Sequence, residues 1–233
     1  MPSPGSPAPL DQLEEEIVGC RRCPRLVAWR EQVAEERRAA FRDEEYWGRP
    51  IPGFGDPAAR LLVLGLAPAA HGANRTGRVF TGDRSGDWLF AALWRAGYAN
   101  QPTSRHRHDG LALAGCWVSA AVRCAPPANK PTPEERDTCA PYLVREVELL
   151  SDVVVVVALG RFAWDVAWST LAPGARPRPP FGHLAEAALP PDPAGRPRTM
   201  VGSFHPSQQN TFTGRLTEPM FDAVFTRAGA LGG

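Results

Sequence analysis

The sequence predicts an α/β protein with a four-stranded parallel sheet and helices on both faces. Two observations carry this prediction. Short apolar runs alternate with longer amphipathic stretches, and the connections between runs are long enough for right-handed crossovers. A chain of 233 residues, 43% of them hydrophobic, suits one medium-sized domain or two small ones. We assign residues 10–233 to a single domain and the Pro-, Ser- and Gly-rich residues 1–9 to a disordered tail.

Four apolar runs are the candidate strands. "RLLVLGL" (60–66) ends beside Gly and Pro, which indicates a buried strand that runs into a loop. "GCWVSAAV" (115–122) is the second candidate, and "TMVGSF" (199–204) is the last. "DVVVVVALG" (152–160) is the clearest, because an unbroken β-branched run is typical of a strand covered on both faces.

Helical patterns fill the intervals between the strands. Residues 10–41 have apolar residues at helical spacing, with interruptions near Gly19 and Pro24. Ser precedes the pattern of residues 85–98, and Thr, Pro and Glu open residues 132–150 in the order that favours a helix N-terminus. The other helix candidates are residues 161–171 and 218–231, and residues 172–198, rich in Pro, Gly and Arg, are predicted as loop.

Three polar loops follow three of the four strands. They are "GLAPAAHGANRTGRVFTGD" (65–83), "AAVRCAPPANKP" (120–131) and "GSFHPSQQNTFTGR" (202–215). In open parallel sheets, ligands bind beyond the carboxyl ends of the strands. The sequence therefore predicts a ligand site where these three loops meet.

The first of these loops is not a nucleotide-binding P-loop. "GANRTGRV" (72–79) has the glycine spacing, but Arg78 and Val79 stand where Lys and then Ser or Thr are required. Valine cannot bind Mg²⁺. No G-x-G-x-x-G follows any strand, so a dinucleotide-binding fold is also disfavoured.

The distribution of charge and the N-terminal sequence bear on the expected partner and cellular location of the protein. The formal net charge is +1, but residues 71–130 hold eight Arg or Lys against three Asp or Glu. Such a band either meets phosphates or is a solvated polar surface. The N-terminus lacks the features of a signal peptide, and no run of about 18 apolar residues is present. We therefore expect a cytoplasmic protein, in which thiols stay reduced.

Cysteine spacing indicates either a metal site or unrelated buried thiols. Cys20 and Cys23 form a C-x₂-C pair, and Cys124 and Cys139 form a second, wider pair. Two pairs of thiolates can complete a four-sulfur site for zinc or for an iron–sulfur cluster. The wide second pair slightly favours the cluster. Cys116 lies inside a strand pattern and is interpreted as a core thiol.

Four motifs together resemble the family 5 uracil-DNA glycosylases, the broad-specificity iron–sulfur branch of the uracil-DNA glycosylase superfamily. The motifs are "CRRCPRLV", "PGFGDPAARLLVLGLAPAAHGANRTGRVFTGD", "AAVRCAPPANKPTPEE" and "HPSQQNTFTGRLT". The resemblance runs in order from Cys20 to Phe225. It implies a single α/β/α glycosylase domain that removes uracil and other deaminated bases from DNA. It also implies a [4Fe–4S] cluster on Cys20, Cys23, Cys124 and Cys139.

The resemblance also implies catalytic residues. His205 matches the histidine that faces the leaving base and would donate a hydrogen bond to its O2 atom. Asp83 and Asn129 match the residues suggested to stabilise the sugar cation or orient water, because Leu66 and Ala67 cannot position water as other branches do. Two alternatives stay open: Asp83 could only cap a helix, and Asn129 could only brace a turn.

The base and DNA contacts follow from the same resemblance. Phe80 would stack under the extruded base, and Gly65, Ala67 and Ala120 would line its pocket. Ala120 stands where stricter relatives carry Asn, so we expect hydroxymethyluracil, ethenocytosine and hypoxanthine to be accepted besides uracil. The residues expected to contact DNA are Arg75, Arg78, Lys130, Ser207, Gln208, Gln209, Asn210 and Arg215.

We expect a monomer that binds DNA and leaves an abasic site without cutting the strand, since Lys130 is the sole lysine available for lyase chemistry. The rival hypothesis is a non-catalytic DNA-binding module with a four-cysteine zinc site.

Overall fold

The computed structural model describes residues 8–192 and 194–233, which form one mixed sheet between two layers of helices. The helices are α1 (Pro9–Val18), α2 (Pro24–Glu36), α3 (Ala73–Thr76), α4 (Arg84–Arg95), α5 (Pro133–Leu149), α6 (Arg161–Leu171), α7 (Gln208–Phe212) and α8 (Glu218–Gly232). The strands are β1 (Phe54–Gly55), β2 (Leu61–Gly65), β3 (Cys116–Ala120), β4 (Val155–Leu159), β5 (Glu186–Leu189) and β6 (Arg198–Ser203).

The four predicted strands form the parallel centre of the sheet. In the described residues the strand order is β1-β3-β2-β4-β6-β5, and the four inner strands are mutually parallel. This confirms the α/β class. Two edge strands were not predicted: β1 pairs antiparallel with β3, and β5 pairs antiparallel with β6. The prediction that residues 172–198 are loop is therefore wrong at β5, whose four residues are too few to show a hydrophobic period.

The core has two sides because alternate strand residues point to opposite faces of the sheet. Val63 and Val157 pack in one buried cluster with residues of α4 and α8. Leu64 and Ala158 pack in a second cluster with residues of α5 and α6. The unbroken apolar runs of β2 and β4 follow from this double coverage, since every residue of both strands is buried.

The N-terminal helices lie where the periodicity predicts them. Gly19 ends α1 and Pro24 begins α2, so both predicted interruptions are confirmed. Of residues 1–9, in which we predict disorder, residues 1–7 lie outside the described residues, and the prediction is wrong at Pro9, which begins α1. Every helix in the described ranges is too short or too polar to cross a membrane.

Strand register brings the three polar loops to one edge. Gly65, the last residue of β2, pairs with Ala120, the last residue of β3. Leu159 of β4 pairs with Ser203 of β6 in the same way. The loops that follow β2, β3 and β6 therefore begin side by side.

Candidate active site

A cleft of about 630 Å³ lies at the carboxyl edge of the sheet, where the three polar loops meet. This confirms that the loops converge. The lining residues are Arg38, Leu66, Ala67, Pro68, Ala69, Val79, Phe80, Asp83, Arg84, Ser85, Asn129, His205, Ser207, Gln208 and Gln209. We refer to this space as the cleft. The buried lining residues, Pro68 and Val79, are apolar. The exposed lining residues are polar, and we call them the rim: Arg38, Arg84, Asn129, Gln208 and Gln209.

The Phe80 ring and the His205 imidazole line the cleft as neighbours. The two ring centroids are 6.1 Å apart and the planes differ by 31°. Gly65 makes this placement possible, because a Cβ at that position would lie 2.4 Å from Cζ of Phe80. Phe80 itself has a left-handed backbone conformation with φ of 51°. A phenylalanine held this way offers a flat apolar surface to a planar ligand.

His205 is neutral in the cleft at physiological pH. Burial lowers the pKa of its imidazole from 6.5 to about 4, because the charged form loses hydration. The Asn210 side chain donates a 2.9 Å hydrogen bond to the His205 carbonyl oxygen and so fixes the backbone that carries the ring. A neutral imidazole has one N–H group, which can donate to an oxygen that gains negative charge.

Asp83 caps a helix and also lines the cleft. Its Oδ1 accepts a 3.0 Å hydrogen bond from the Gly86 N–H at the N-terminus of α4, so the capping alternative is observed. Burial raises the pKa of the Asp83 carboxyl, and the Gly86 N–H opposes that shift. Gly72 leaves room for the other oxygen, since a Cβ there would lie 2.3 Å from Oδ2. Backbone N–H groups of Ser85 and Gly86 both hold the carboxylate, which also lines the cleft.

Asn129 reaches the cleft from a strained turn. Ala128 and Asn129 both have left-handed φ values, 52° and 55°, which non-glycine residues rarely adopt. Arg25 of α2 holds the end of this turn: its Nη2 donates a 3.1 Å hydrogen bond to the Lys130 carbonyl oxygen. The same guanidinium binds both carboxylate oxygens of Glu135, at 2.8 and 2.7 Å. The turn is thereby tied to α2 and to the N-terminus of α5.

The short helix α7 forms the third side of the cleft. Ser207 caps it, since its Oγ accepts a 3.4 Å hydrogen bond from the Asn210 N–H. Gln208 and Gln209 are exposed at the rim. Arg215 beyond the helix is exposed and stacks on the Phe204 ring, with its guanidinium carbon 4.7 Å from the ring centroid.

The four predicted cysteine ligands line a second, separate cavity. Cys20, Cys23, Cys124 and Cys139 surround it together with Leu26, Arg30 and Tyr142. We refer to it as the cysteine cavity. Cys116 lies elsewhere, fully buried in β3, which confirms it as a core thiol. In the described residues no group of three or more Cys, His, Asp or Glu side chains is arranged to hold a single metal ion.

Hydrogen-bond donors face two of these sulfur atoms. Arg30 Nη1 donates to Cys124 Sγ at 3.0 Å, and the Arg123 backbone N–H donates to Cys139 Sγ at 3.3 Å. Arg30 is buried on the face of α2 that also carries Leu26 and Val33. Donors of this kind stabilise thiolates that ligate a metal or a cluster. The residues around the cavity therefore fit an anionic sulfur-ligated group.

Comparison with known proteins decides the family. The sequence model of the uracil DNA glycosylase superfamily matches residues 52–228. The chain belongs to the uracil DNA glycosylase superfamily. The type-5 uracil-DNA glycosylase of Mycobacterium tuberculosis is 53% identical over 98% of this chain and 84% of its own length. That of Thermus thermophilus is 52% identical over 93% of this chain and 95% of its own length.

Similarity to this superfamily also covers the region before residue 52. The type-5 enzyme of Pyrobaculum aerophilum is 43% identical over 94% of this chain and 92% of its own length. A type-4 uracil-DNA glycosylase of Archaeoglobus fulgidus is 28% identical over 66% of this chain and 61% of its own length. The family resemblance inferred from the four motifs is therefore confirmed.

Two arginines predicted to contact DNA are buried in this superfamily member. Arg78 is 4% exposed and pairs with Asp109 through contacts of 2.8 and 2.7 Å. Arg75 is 8% exposed, pairs with Glu44, and donates to the Gly82 carbonyl oxygen at 3.0 Å. Both guanidinium groups tie the loop after β2 to its surroundings. The prediction that they meet phosphates is wrong.

Other cations occupy the rim of the uracil-DNA glycosylase cleft instead. Arg38 and Arg84 are exposed, line the cleft and form no ion pair with any described residue. Lys130 is exposed beside Asn129. Sequence reasoning passed over Arg38 because it falls outside the basic band of residues 71–130, and over Arg84 because it opens a helix.

Three further predictions need correction. Gly65 and Ala120, which end β2 and β3, do not line the cleft: Gly65 lies against the Phe80 ring, and Ala120 is 2% exposed in the buried cluster against which Phe80 packs. The side-chain amide of Asn210 donates its hydrogen bond to the His205 carbonyl oxygen. It therefore supports the histidine instead of presenting that donor to DNA. Ala67 does line the cleft, as predicted.

Proposed function

We propose that this chain is a monofunctional DNA glycosylase of base excision repair. It hydrolyses the N-glycosidic bond between uracil and deoxyribose and leaves an abasic site. A base inside a duplex is unreachable, so the nucleotide is extruded into the cleft. The observation that carries the proposal is the pairing of Phe80 and His205 in one cleft, with Asp83 beside them, in a member of this superfamily.

The cleft supplies the groups that this reaction needs. Cleavage gives an oxocarbenium-like sugar and an anionic base, so catalysis requires a donor at the base and negative potential at the sugar. The neutral His205 imidazole donates to the base O2 atom as charge develops there. The Asp83 carboxylate stabilises the sugar cation, and Asp83 or Asn129 orients the water that adds to C1′. The base leaves as an anion and then takes a proton from solvent, which receives the proton that the adding water loses.

The substrate range follows from the apolar lining. Phe80 stacks on the base, while Leu66, Ala67 and Val79 contribute no hydrogen-bonding side chains. Ala120 lies behind the Phe80 ring and offers no polar group either. We expect hydroxymethyluracil, ethenocytosine and hypoxanthine to be released besides uracil.

Base release from synthetic duplexes tests this function. The purified protein is mixed with duplexes that carry uracil, hypoxanthine or ethenocytosine, and abasic sites are revealed by alkali. We expect strand breaks only after alkali. His205→Ala should lower the rate about 100-fold or more while DNA binding survives. The control is His108→Ala, an exposed histidine that does not line the cleft. Equal rates for both variants would contradict the proposal.

The cysteine cavity is proposed to hold a [4Fe–4S] cluster through Cys20, Cys23, Cys124 and Cys139. In such a cluster each thiolate ligates a separate iron, which suits sulfur atoms that surround a cavity. When bound, the cluster would join α2 to the loop after β3 and to α5. Arg30 and the Arg123 N–H would then stabilise the cluster charge.

Visible absorbance separates the cluster from zinc. We expect a brown protein whose broad absorbance is lost in Cys139→Ser and retained in Cys116→Ser. A colourless protein containing zinc and lacking base release would support the rival DNA-binding module instead. We further propose a monomer of a single glycosylase domain, residues 10–233, that acts on DNA in the cytoplasm.

A further inference from the structure

Arg30 is a buried cation of α2 that lines the cysteine cavity. Its side chain is 2% exposed. Nη1 donates a 3.0 Å hydrogen bond to Cys124 Sγ, and Nη1 and Nη2 both donate to the Cys20 carbonyl oxygen at 3.3 Å. The guanidinium is therefore held against two cysteine-bearing segments that are far apart in the chain.

Arg30 lacks the close carboxylate that the other buried arginines of the described residues have. Those arginines form the pairs Arg75–Glu44, Arg78–Asp109 and Arg123–Glu146. The carboxylate contact of Arg30 is with Glu31, whose Oε1 lies 3.8 Å from Nη2, beyond hydrogen-bond distance. The Glu31 carboxylate is partly exposed, and both of its oxygens already accept hydrogen bonds from Arg21.

The counter-charge of Arg30 has to come from the cysteine cavity. An uncompensated buried charge is strongly unfavourable, and Arg30 Nε is buried without any hydrogen-bond partner in the described residues. Four thiolates that ligate a [4Fe–4S] core carry a net negative charge. Such a group beside Arg30 supplies the anion that the surrounding side chains do not.

We propose that Arg30 is the counter-cation of the cluster in the cysteine cavity and raises its reduction potential. The proposal rests on the cluster part of the proposed function and does not require uracil release. Reduction adds one electron, taken from an external reductant, to the cluster. A buried positive charge that donates to a ligand sulfur stabilises the added negative charge, because the protein interior screens it weakly.

A simpler role for Arg30 is to join α2 to the Cys20 carbonyl oxygen, which needs a donor but no charge. Three substitutions separate the two roles. Arg30→Lys keeps the charge, Arg30→Gln keeps a donor without the charge, and Arg30→Met fills the space with neither. Voltammetry of the whole brown protein gives the midpoint potential of each variant.

We expect Arg30→Gln and Arg30→Met to lower the ratio of reduced to oxidised cluster at a fixed potential by about ten-fold or more. A ten-fold change corresponds to about 59 mV for a one-electron couple. Arg30→Lys should lie closest to the unchanged protein. An unchanged potential in Arg30→Gln and Arg30→Met, or an equal shift in Arg30→Lys, would overturn the proposal.

The matched control is Arg78→Gln, which neutralises another buried arginine that does not line the cysteine cavity. We expect it to lower the melting temperature, because Asp109 loses its partner, and to leave the midpoint potential unchanged. A shift in this control as large as that in Arg30→Gln would show that the potential responds to general damage, and would contradict a specific role for Arg30.

A variant that loses its cluster during purification also gives a result, read from iron content and visible absorbance. Loss in Arg30→Gln and Arg30→Met with retention in Arg30→Lys supports the counter-cation role. Loss in all three shows that the shape of arginine is required instead of its charge, and overturns the proposal. A colourless protein that releases uracil would contradict the cluster and this inference, whereas a charge-dependent potential without uracil release would contradict the glycosylase function alone.

Discussion

His205 can assist departure of the base without carrying a charge of its own. Burial lowers its pKa to about 4, so the imidazole stays neutral throughout the physiological range. The ring therefore acts as a hydrogen-bond donor, and it keeps this form in acid where an ordinary histidine would be protonated.

The same pKa makes a prediction about stability. Between pH 6.5 and about 4 the unfolded chain protonates this histidine and the folded chain does not. The contribution of neutral His205 is fully present above pH 6.5 and is lost as the pH falls through this window. We expect His205→Gln to lose less stability than the unchanged protein between pH 7.5 and pH 5 in thermal unfolding. Equal losses would show that the imidazole is not buried in a neutral form.

Asp83 needs a variant that separates its two roles. Asn in place of Asp83 keeps an oxygen for the Gly86 N–H but removes the charge. We expect Asp83→Asn to unfold near the temperature of the unchanged protein, while uracil release falls at least about ten-fold. Asp83→Ala should lose the rate and also about 1 kcal/mol of stability through the missing cap.

The pH dependence of uracil release distinguishes a catalytic Asp83 from one that only caps α4. Since burial raises its pKa, a required carboxylate gives the rate an acid limb above pH 3.8. Asp83→Asn should abolish the part of the acid limb that the carboxylate sets. A full rate in Asp83→Asn would assign Asp83 to capping alone.

Among the structural elements, the turn that carries Asn129 depends on contacts from outside itself. Two consecutive left-handed residues are unfavourable without glycine, and Arg25 contributes to their geometry through the Lys130 carbonyl oxygen. Glu135 in turn fixes the guanidinium by a bidentate contact. Asn129 is therefore placed by a residue that is remote in sequence and does not line the cleft.

Removing Arg25 should misplace Asn129. We expect Arg25→Ala to lower kcat for uracil release about ten-fold to a hundred-fold, with KM little changed. Ala128→Gly suits the φ of 52° and should partly restore kcat in the Arg25→Ala background. The matched control is Arg21→Ala, whose guanidinium pairs with Glu31 on the surface. Loss of kcat without rescue by glycine would indicate general damage to the fold.

Sequence patterns predicted the elements whose signals are local. The capping box of α5 at Thr132 and Glu135 follows from a few adjacent residues. For α4, Ser85 was the expected N-cap and Asp83 an open alternative, and the observed cap is Asp83. The edge strands were missed because β1 has two residues and β5 has four, too few to show a period. Pairing with a neighbouring strand, which a local pattern does not contain, is what makes them strands.

The candidate site was predicted in its centre and less well at its margins. Phe80, Asp83, Asn129 and His205 share one cleft, as the motifs imply. Arg75 and Arg78 were misread because their partners, Glu44 and Asp109, are each 31 residues away in the chain. A count of charges along the sequence cannot show which of them are paired in the fold.

Across the whole molecule, DNA affinity should depend on the rim cations and not on the buried ones. Each phosphate contact adds about −0.9 to the slope of log affinity against log salt. We expect Arg38→Gln and Arg84→Gln each to reduce the slope by about one unit without lowering the melting temperature. Arg78→Gln should leave the slope unchanged and lower the melting temperature, because it leaves Asp109 unpaired. A smaller slope in Arg78→Gln, with unchanged slopes in Arg38→Gln and Arg84→Gln, would indicate that the buried Arg78 contacts DNA and the rim cations do not.

The central claim is that one cleft holds an extruded base against the Phe80 ring, with the base O2 atom at the His205 imidazole. Its most direct test is a crystal structure with duplex DNA that carries 2′-fluoro-deoxyuridine, whose glycosidic bond resists hydrolysis because fluorine destabilises the sugar cation. We expect the uracil ring to stack on Phe80, with its O2 atom about 3 Å from a ring nitrogen of His205. A uracil bound outside the cleft, or an imidazole that points away from it, would contradict the account.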